Sequence, residues 1–264
     1  MISKRTGAIR LVVLAALIIL AAILAPRVAQ PLSYHKFVDA RAWLGIASFA
    51  DVASNLPFAI FGAWGLVFLA GNSSARAFLD RRERWPYVAL FTGVLPTAFG
   101  SAYYHLLPDN NRLVWDRLPM TIAFMSLVAA MIAERPDVTI GVRLLGPLLC
   151  VGVSSVVQWH FSEERGGGNL RFYAAVQIYS IAVLLLLLLL PPRYTRTIDL
   201  VWVGASYLLA KVLETADRPI FALGHTVGGH TLKQLLAGMS GYFHLRMLRK
   251  REPIAMPGKA SHAA

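Results

Sequence analysis

The chain is poor in charge. Only 15% of its 264 residues are Asp, Glu, Lys or Arg, against about 25% in an ordinary soluble domain. With 56% hydrophobic residues, a surface this short of charge needs lipid around it. Cysteine is almost missing. The one copy, Cys150, lies in an apolar run, which excludes an internal disulfide framework and any cysteine-based zinc cluster. It is expected as a small residue buried in the core. Acidic residues are scarce too, 14 against 26 basic ones, for a net charge of +12. In a soluble chain that excess would suggest nucleic acid. Here the bases sit in short loops between apolar runs, no basic and aromatic patch gathers them, and no nucleic-acid partner is expected. No internal repeat is visible. The glycines 166–168 do not make a phosphate loop, because no strand pattern precedes them and no Lys-Ser/Thr pair follows.

Long apolar runs are what the chain does have. A spanning helix needs about 20 apolar residues, and the runs fall near 8–25, 49–71, 87–106, 114–133, 140–158, 172–191, 198–213 and 229–247. They predict an all-α membrane protein with about eight spans. The sixth run is the strongest: Leu184 to Leu190 are all leucine and Pro191-Pro192 stop the helix. The seventh is the weakest, since it carries Lys211 and ends at Glu214. In the first, Lys4, Arg5 and Arg10 precede Leu11 to Ala25, a pattern shared by signal peptides and anchors. No small-x-small site stands before Pro26, so an uncleaved helix over 1–25 is expected. Sixteen of the 26 bases fall in segments on the N-terminal side of the membrane and seven in the alternate ones. That bias predicts both termini inside, in the cytoplasm. Trp115, Trp159 and Trp202 fall near span ends, as interface aromatics do. Residues 251–264 read as a disordered tail.

Ionisable groups inside apolar spans are costly and call for a reason. Ser101 and His105 lie at the outer end of the third span, Asp116 at the outer start of the fourth, and His230 and Gln234 at the outer start of the eighth. All share one depth. Ser101 and His105 are four apart, as are His230 and Gln234, so each pair shares a helix face. The turn-rich stretch Leu106–Arg112 makes the third and fourth spans antiparallel neighbours. Gly228-Gly229 permits close backbone approach before His230. Two imidazoles, a carboxylate and a hydroxyl suit a metal-activated water. Zinc accepts imidazole ligands and acidifies its bound water, the carboxylate takes the proton, and the hydroxyl steadies the oxyanion. The same residues also serve as interhelical hydrogen-bonding groups. Glu214, Asp217, Arg218 and Lys211 read as an ion-pair network at the end of the seventh span, and His244 as a structural residue deeper in the eighth.

The runs Gly100-Ser101-Ala102-Tyr103-Tyr104-His105 and Trp115-Asp116-Arg117-Leu118-Pro119-Met120 resemble the alkaline ceramidase family of membrane hydrolases, part of a superfamily with the adiponectin-receptor-like proteins. The family pattern is Ser-x-x-x-His, an Asp eleven residues on within Asp-x-Leu-Pro-Met, and His-x-x-x-His at the start of the last helix. Asp51-Val52-Ala53-Ser54-Asn55-Leu56-Pro57 is similar to the family's first core helix. The likeness covers about 39–250 and is strongest to a bacterial branch. It implies a seven-helix transmembrane core over 39–250, with the first span as an addition. It further implies a zinc amidase that cleaves ceramide, a sphingolipid, or a similar amide-linked membrane lipid. By position His105 and His230 become zinc ligands, Asp116 the general base, and Ser101 a hydrogen-bonding partner of the reacting oxygen. The second family histidine falls on Gln234, a weaker ligand than imidazole. Either Gln234 binds the metal weakly, or His160, His225 or His35 replaces it, or zinc and catalysis are lost and the scaffold binds lipid or metal without turnover. Calcium is not expected, since Ser48 stands where the family places a carboxylate.

Overall fold

The computed structural model describes residues 4–254, with side-chain burial described from residue 9 onward. Helix is the only extended regular element among them; two isolated bridges, Trp43 with Ile46 and Tyr194 with Pro253, are the sole strand-like pairings. The helices are α1 (Lys4–Leu24), α2 (Phe49–Ala53), α3 (Leu56–Ala70), α4 (Arg84–Leu106), α5 (Asn110–Glu134), α6 (Val138–Glu164), α7 (Arg171–Leu188), α8 (Thr197–Thr215), α9 (Asp217–Ala222) and α10 (Gly229–Lys250).

Every apolar run predicted above lies on a helix, and the second is broken. Ser54 Oγ and Asn55 Nδ2 both donate to the Asp51 carbonyl oxygen at 2.8 Å. Side chains thereby compete with the backbone ladder, and Pro57 starts α3 afresh. The tight turns have simple causes. Asp109 accepts the Arg112 N–H at 2.7 Å and Asp137 the Ile140 N–H at 3.0 Å. These are N-terminal caps that let α4, α5 and α6 follow one another as antiparallel neighbours.

Four stretches are long and apolar enough to cross a membrane: Phe49–Ala70, Asn110–Glu134, Val138–Glu164 and Arg171–Leu188. The apolar window of α5 is 67% buried, against 22–33% for the other three, which makes α5 the axis of the bundle. Around it pack α4, α6 and α7, while α10 lies on α8 and α3. Large apolar side chains such as Val67, Val151, Ile178 and Val212 point outward. Cys150, expected in the core, is exposed on α6: an apolar run that faces lipid needs no protein cover. Of the tryptophans expected at the interface, Trp115 and Trp202 are exposed, but Trp159 is fully buried, drawn inward by a cation described below.

Glycine sets the closest approach in the bundle. A Cβ on Gly93 would lie 2.6 Å from the Ala123 nitrogen, and one on Gly100 would overlap the Trp115 carbonyl group. The two glycines are seven apart on one face of α4, a small-residue contact of the kind that joins helices in lipid.

The end of the bundle that holds the α3–α4 turn is bound by buried ion pairs. Glu83 accepts from Arg193 at 2.9 Å and from the Tyr194 hydroxyl. Burial pushes its carboxyl above the usual range, against the pull of Tyr194 and Arg193. Glu134 accepts from Tyr87 at 2.7 Å and from Arg251. Residues 251–254 of the expected tail pair with the 193–195 segment, through Thr195 N–H to Glu252 O and Ile254 N–H to Arg193 O, each 2.9 Å. The rest of that tail lies outside the described residues.

Candidate functional site

The close contact at Gly100 brings α4 against α5 at Trp115–Asp116. It places the Ser101 hydroxyl beside the Asp116 carboxylate. One turn along α4 from Ser101 stands His105, and both are buried. The opposite wall is α10. Its first residues fit only as glycine, since a Cβ on Gly229 would lie 2.8 Å from Asp217 Cα. Asp217 Oδ1 accepts the His230 N–H at 2.9 Å and Oδ2 the Val38 N–H at 3.3 Å. Asp217 therefore caps α10 and ties it to the loop after α1, rather than joining the ion-pair network expected of it.

His105 and His230 meet directly, Nε2 to Nε2 at 3.3 Å. The amide end of Gln234 lies 2.6 Å from His105 Nε2 and donates to Ser101 Oγ at 3.2 Å. Three of the predicted ligands thus converge at one point, with predicted Ser101 next to them. Asp116 is half-buried beside Ser101 and faces an adjoining cavity of about 290 Å³.

Two nitrogens each about 2.05 Å from one tetrahedral zinc stand about 3.3 Å apart, so the pair of imidazoles matches a tetrahedral edge. The third donor is weaker. Rotating the Gln234 amide puts its oxygen where the nitrogen now stands, which offers one neutral carbonyl. Among the described residues no group of three His, Cys, Asp or Glu side chains is placed to hold a metal. His105 Nδ1 is buried without a hydrogen-bond partner, so it lacks the acceptor that orients most metal-bound imidazoles. The site fits two zinc ligands well and a third through an amide.

The histidines considered as replacements stand elsewhere. His35 is held by the Tyr104 hydroxyl at 2.9 Å and Asn110 Oδ1 at 3.0 Å. His160 lies 3.3 Å from Glu164 on α6. His225 occupies a left-handed turn with φ of 52°. Deeper in α10, His244 is buried and its Nδ1 donates to the Ser240 carbonyl oxygen at 2.9 Å.

Three features carried no signal, or only a faint one, in the sequence. Phe37 roofs the site, with ring centroids 4.7 Å from His105 and 4.3 Å from His230. Its segment is pinned by Arg41, which bonds Asp39 at 2.6 Å, His225 O at 2.7 Å and Thr226 O at 2.6 Å. That bonding holds the Asp39 carboxyl below the usual carboxylate range. Glu214 bridges Lys211 at 2.8 Å and Lys233 at 3.1 Å on the cavity wall; of the expected network, only the Lys211–Glu214 pair forms. Arg117 is stacked between Trp159 and Tyr173, 4.1 and 4.4 Å from their centroids, and donates to Gln30 Oε1 at 2.6 Å.

A second cavity, lined by Phe124, Leu127, Leu184, Val203 and Leu208, shares the Tyr207 wall with the one beside Asp116. α7 and α8 barely touch, which leaves this crevice between them. Asp116, Arg117, Lys211, Glu214 and Lys233 line the first cavity, and the second is walled almost wholly by apolar side chains. No protein-family model and no curated protein matches the chain.

Proposed function

We propose that this chain is a membrane-embedded amidase that hydrolyses an amide-linked lipid, ceramide or one like it, with zinc held by His105, His230 and the Gln234 carbonyl. The carrying observation is the 3.3 Å separation of the two imidazole nitrogens, with His105 one turn from Ser101 and Ser101 in turn next to Asp116. The ceramidase-like motifs support it, since their residues are the ones that converge. In this reading all eight long helices cross the bilayer, with α1 outside a seven-helix core. Both termini lie in the cytoplasm, and the site opens near the outer face of a bacterial inner membrane.

A bound zinc ion supplies a Lewis acid and a water acidic enough to attack at neutral pH. Asp116 accepts the proton of the attacking water and returns it to the leaving amine. Ser101 donates its hydroxyl hydrogen to the oxygen that gains charge in the transition state. The crevice between α7 and α8 holds the acyl chain and sets the amide against Asp116. Phe37 keeps bulk water from the imidazoles.

The test is metal content of the purified protein together with hydrolysis of an N-acyl lipid. Bound zinc near one equivalent is expected, with hydrolysis lost in His105→Ala and Asp116→Ala. Zinc below about a tenth of an equivalent overturns the reading.

One observation favours a second reading, a lipid- or metal-binding protein without turnover. The Gln234 amide already bonds Ser101 Oγ and His105 Nε2, so both of these atoms have protein partners. Gln234→His separates the two. A variant that gains zinc and activity supports the non-catalytic reading; one that leaves an active wild type unchanged removes it.

A further inference from the structure

The turn between α3 and α4 encloses a cavity of about 220 Å³, lined by Gly71, Asn72, Ser74, Phe78, Arg81 and Arg84. It sits at the start of α4, and His105 sits at the other end, 21 residues or about 30 Å away along the helix. The cavity is therefore separate from the site above.

Its two arginines, unlike most of the cations around them on this end of the bundle that face a carboxylate, have none. Arg82 is bonded to Asp80 at 2.7 Å. Glu83 is taken by Arg193 and Tyr194, Glu134 by Tyr87 and Arg251, and Asp199 by Arg196 and Arg246. Arg81 and Arg84 bond no carboxylate among the described residues, and the residues outside them, 1–3 and 255–264, contain no Asp or Glu. Arg84 Nε is buried with no partner at all. The Ser74 hydroxyl donates back to the turn, to Leu69 O at 3.1 Å and Gly71 O at 2.8 Å. It shapes the wall and leaves the Asn72 amide as the polar group beside the arginines.

The neighbouring surface is apolar. Trp85 is 58% exposed at the first turn of α4 and Leu79 is 53% exposed before it. An outward tryptophan beside unpaired arginines at a helix end belongs at headgroup depth, where indole and guanidinium are both stable.

We propose that this cavity binds the phosphate of an anionic phospholipid, with Arg81 and Arg84 as its ligands, Asn72 at the rim, and the lipid chains lying along Trp85 and Leu79. Two guanidinium groups suit a phosphate because each presents a planar fork of donors. Bilayer attachment explains why two unpaired cations are kept beside exposed apolar side chains. The assignment does not rest on the amidase reading.

The test uses the full chain in detergent and in nanodiscs, with lipid retention read by native mass spectrometry. The probes are phosphatidylglycerol, phosphatidylcholine and inorganic phosphate. Wild type is expected to retain phosphatidylglycerol over phosphatidylcholine. An Arg81→Gln, Arg84→Gln double variant should bind it about thirty-fold more weakly, the change expected for two interfacial arginines. Arg82→Gln removes the same kind of charge from the same turn but is bonded to Asp80, and should stay within about twofold of wild type. If the double variant does not fold, the single variants Arg81→Gln and Arg84→Gln and the charge-keeping Arg81→Lys carry the comparison. Equal losses in the Arg82 and Arg81/Arg84 variants overturn the proposal, as does indifference between the two lipids. Displacement of the lipid by millimolar inorganic phosphate makes this a soluble-anion site and overturns the lipid assignment.

Discussion

Replacing Gly100 by alanine places a methyl group 2.7 Å from the Trp115 carbonyl carbon, where ordinary contact begins at 3.4 Å. The obstacle is backbone in the middle of α5's first turns, so it does not swing aside. α4 has to back away by at least about 0.7 Å, and overpacking of this kind costs about 1–3 kcal/mol. The same movement carries Ser101 and His105, which lie one and five residues further along α4. Gly93 provides the control. Its Cβ would lie 2.6 Å from the Ala123 nitrogen, a shallower intrusion against backbone again, and seven residues or about 10 Å further from the site. Both Gly93→Ala and Gly100→Ala should therefore lower the thermal midpoint in detergent by about 2–10 °C. Only Gly100→Ala should also deplete zinc and cut hydrolysis, by about a hundredfold, the effect of a misplacement near 1 Å. Equal functional losses in the two variants would refute the geometric reasoning. So would an alanine at 100 that leaves the midpoint unchanged, because the two helices would then not meet there.

Further expectations follow from the surrounding contacts. Glu83→Ala leaves Arg193 and Tyr194 without their acceptor and should cost about 3–5 kcal/mol; burial already favours the neutral carboxyl, so Glu83→Gln should cost distinctly less by thermal unfolding. Phe37→Ala removes ring contacts to two imidazoles, each worth about 0.5–1.5 kcal/mol. Hydrogen exchange over 36–41 should rise roughly five- to a hundredfold. Asp39 has a depressed folded-state pKa, so its ion pair stabilises the segment fully above the ordinary carboxylate pKa and is lost as pH falls through the folded value. Exchange over 37–41, corrected for its intrinsic rate, should be flat from pH 7 to about 5 and rise below about 4.

Much of the site was legible because a membrane span makes polar residues conspicuous. Ser101, His105, Asp116, His230 and Gln234 each interrupt an apolar run, and the i,i+4 spacing of two pairs already put them on shared faces. Lys233 interrupts the same run one turn after His230, but its partner Glu214 lies on another helix and nothing local links them. Phe37 left no trace, being one aromatic in a loop with no periodicity. Cys150 and Trp159 show the limit of hydropathy. One was expected inside and faces outward; the other was expected at the surface and is buried beside Arg117. When both the core and the solvent are apolar, a residue's polarity no longer tells which of them it meets.

The sequence alone determined the helical class, the positions of the long helices and the set of polar residues that share one depth, because each follows from local runs and spacings. Tertiary structure decided which helices touch, that the two imidazole nitrogens stand 3.3 Å apart, that Gln234 closes on Ser101, and that Arg81 and Arg84 face no carboxylate. Those outcomes depend on which backbones glycine allows to approach, and that is a property of pairs of helices rather than of any one segment.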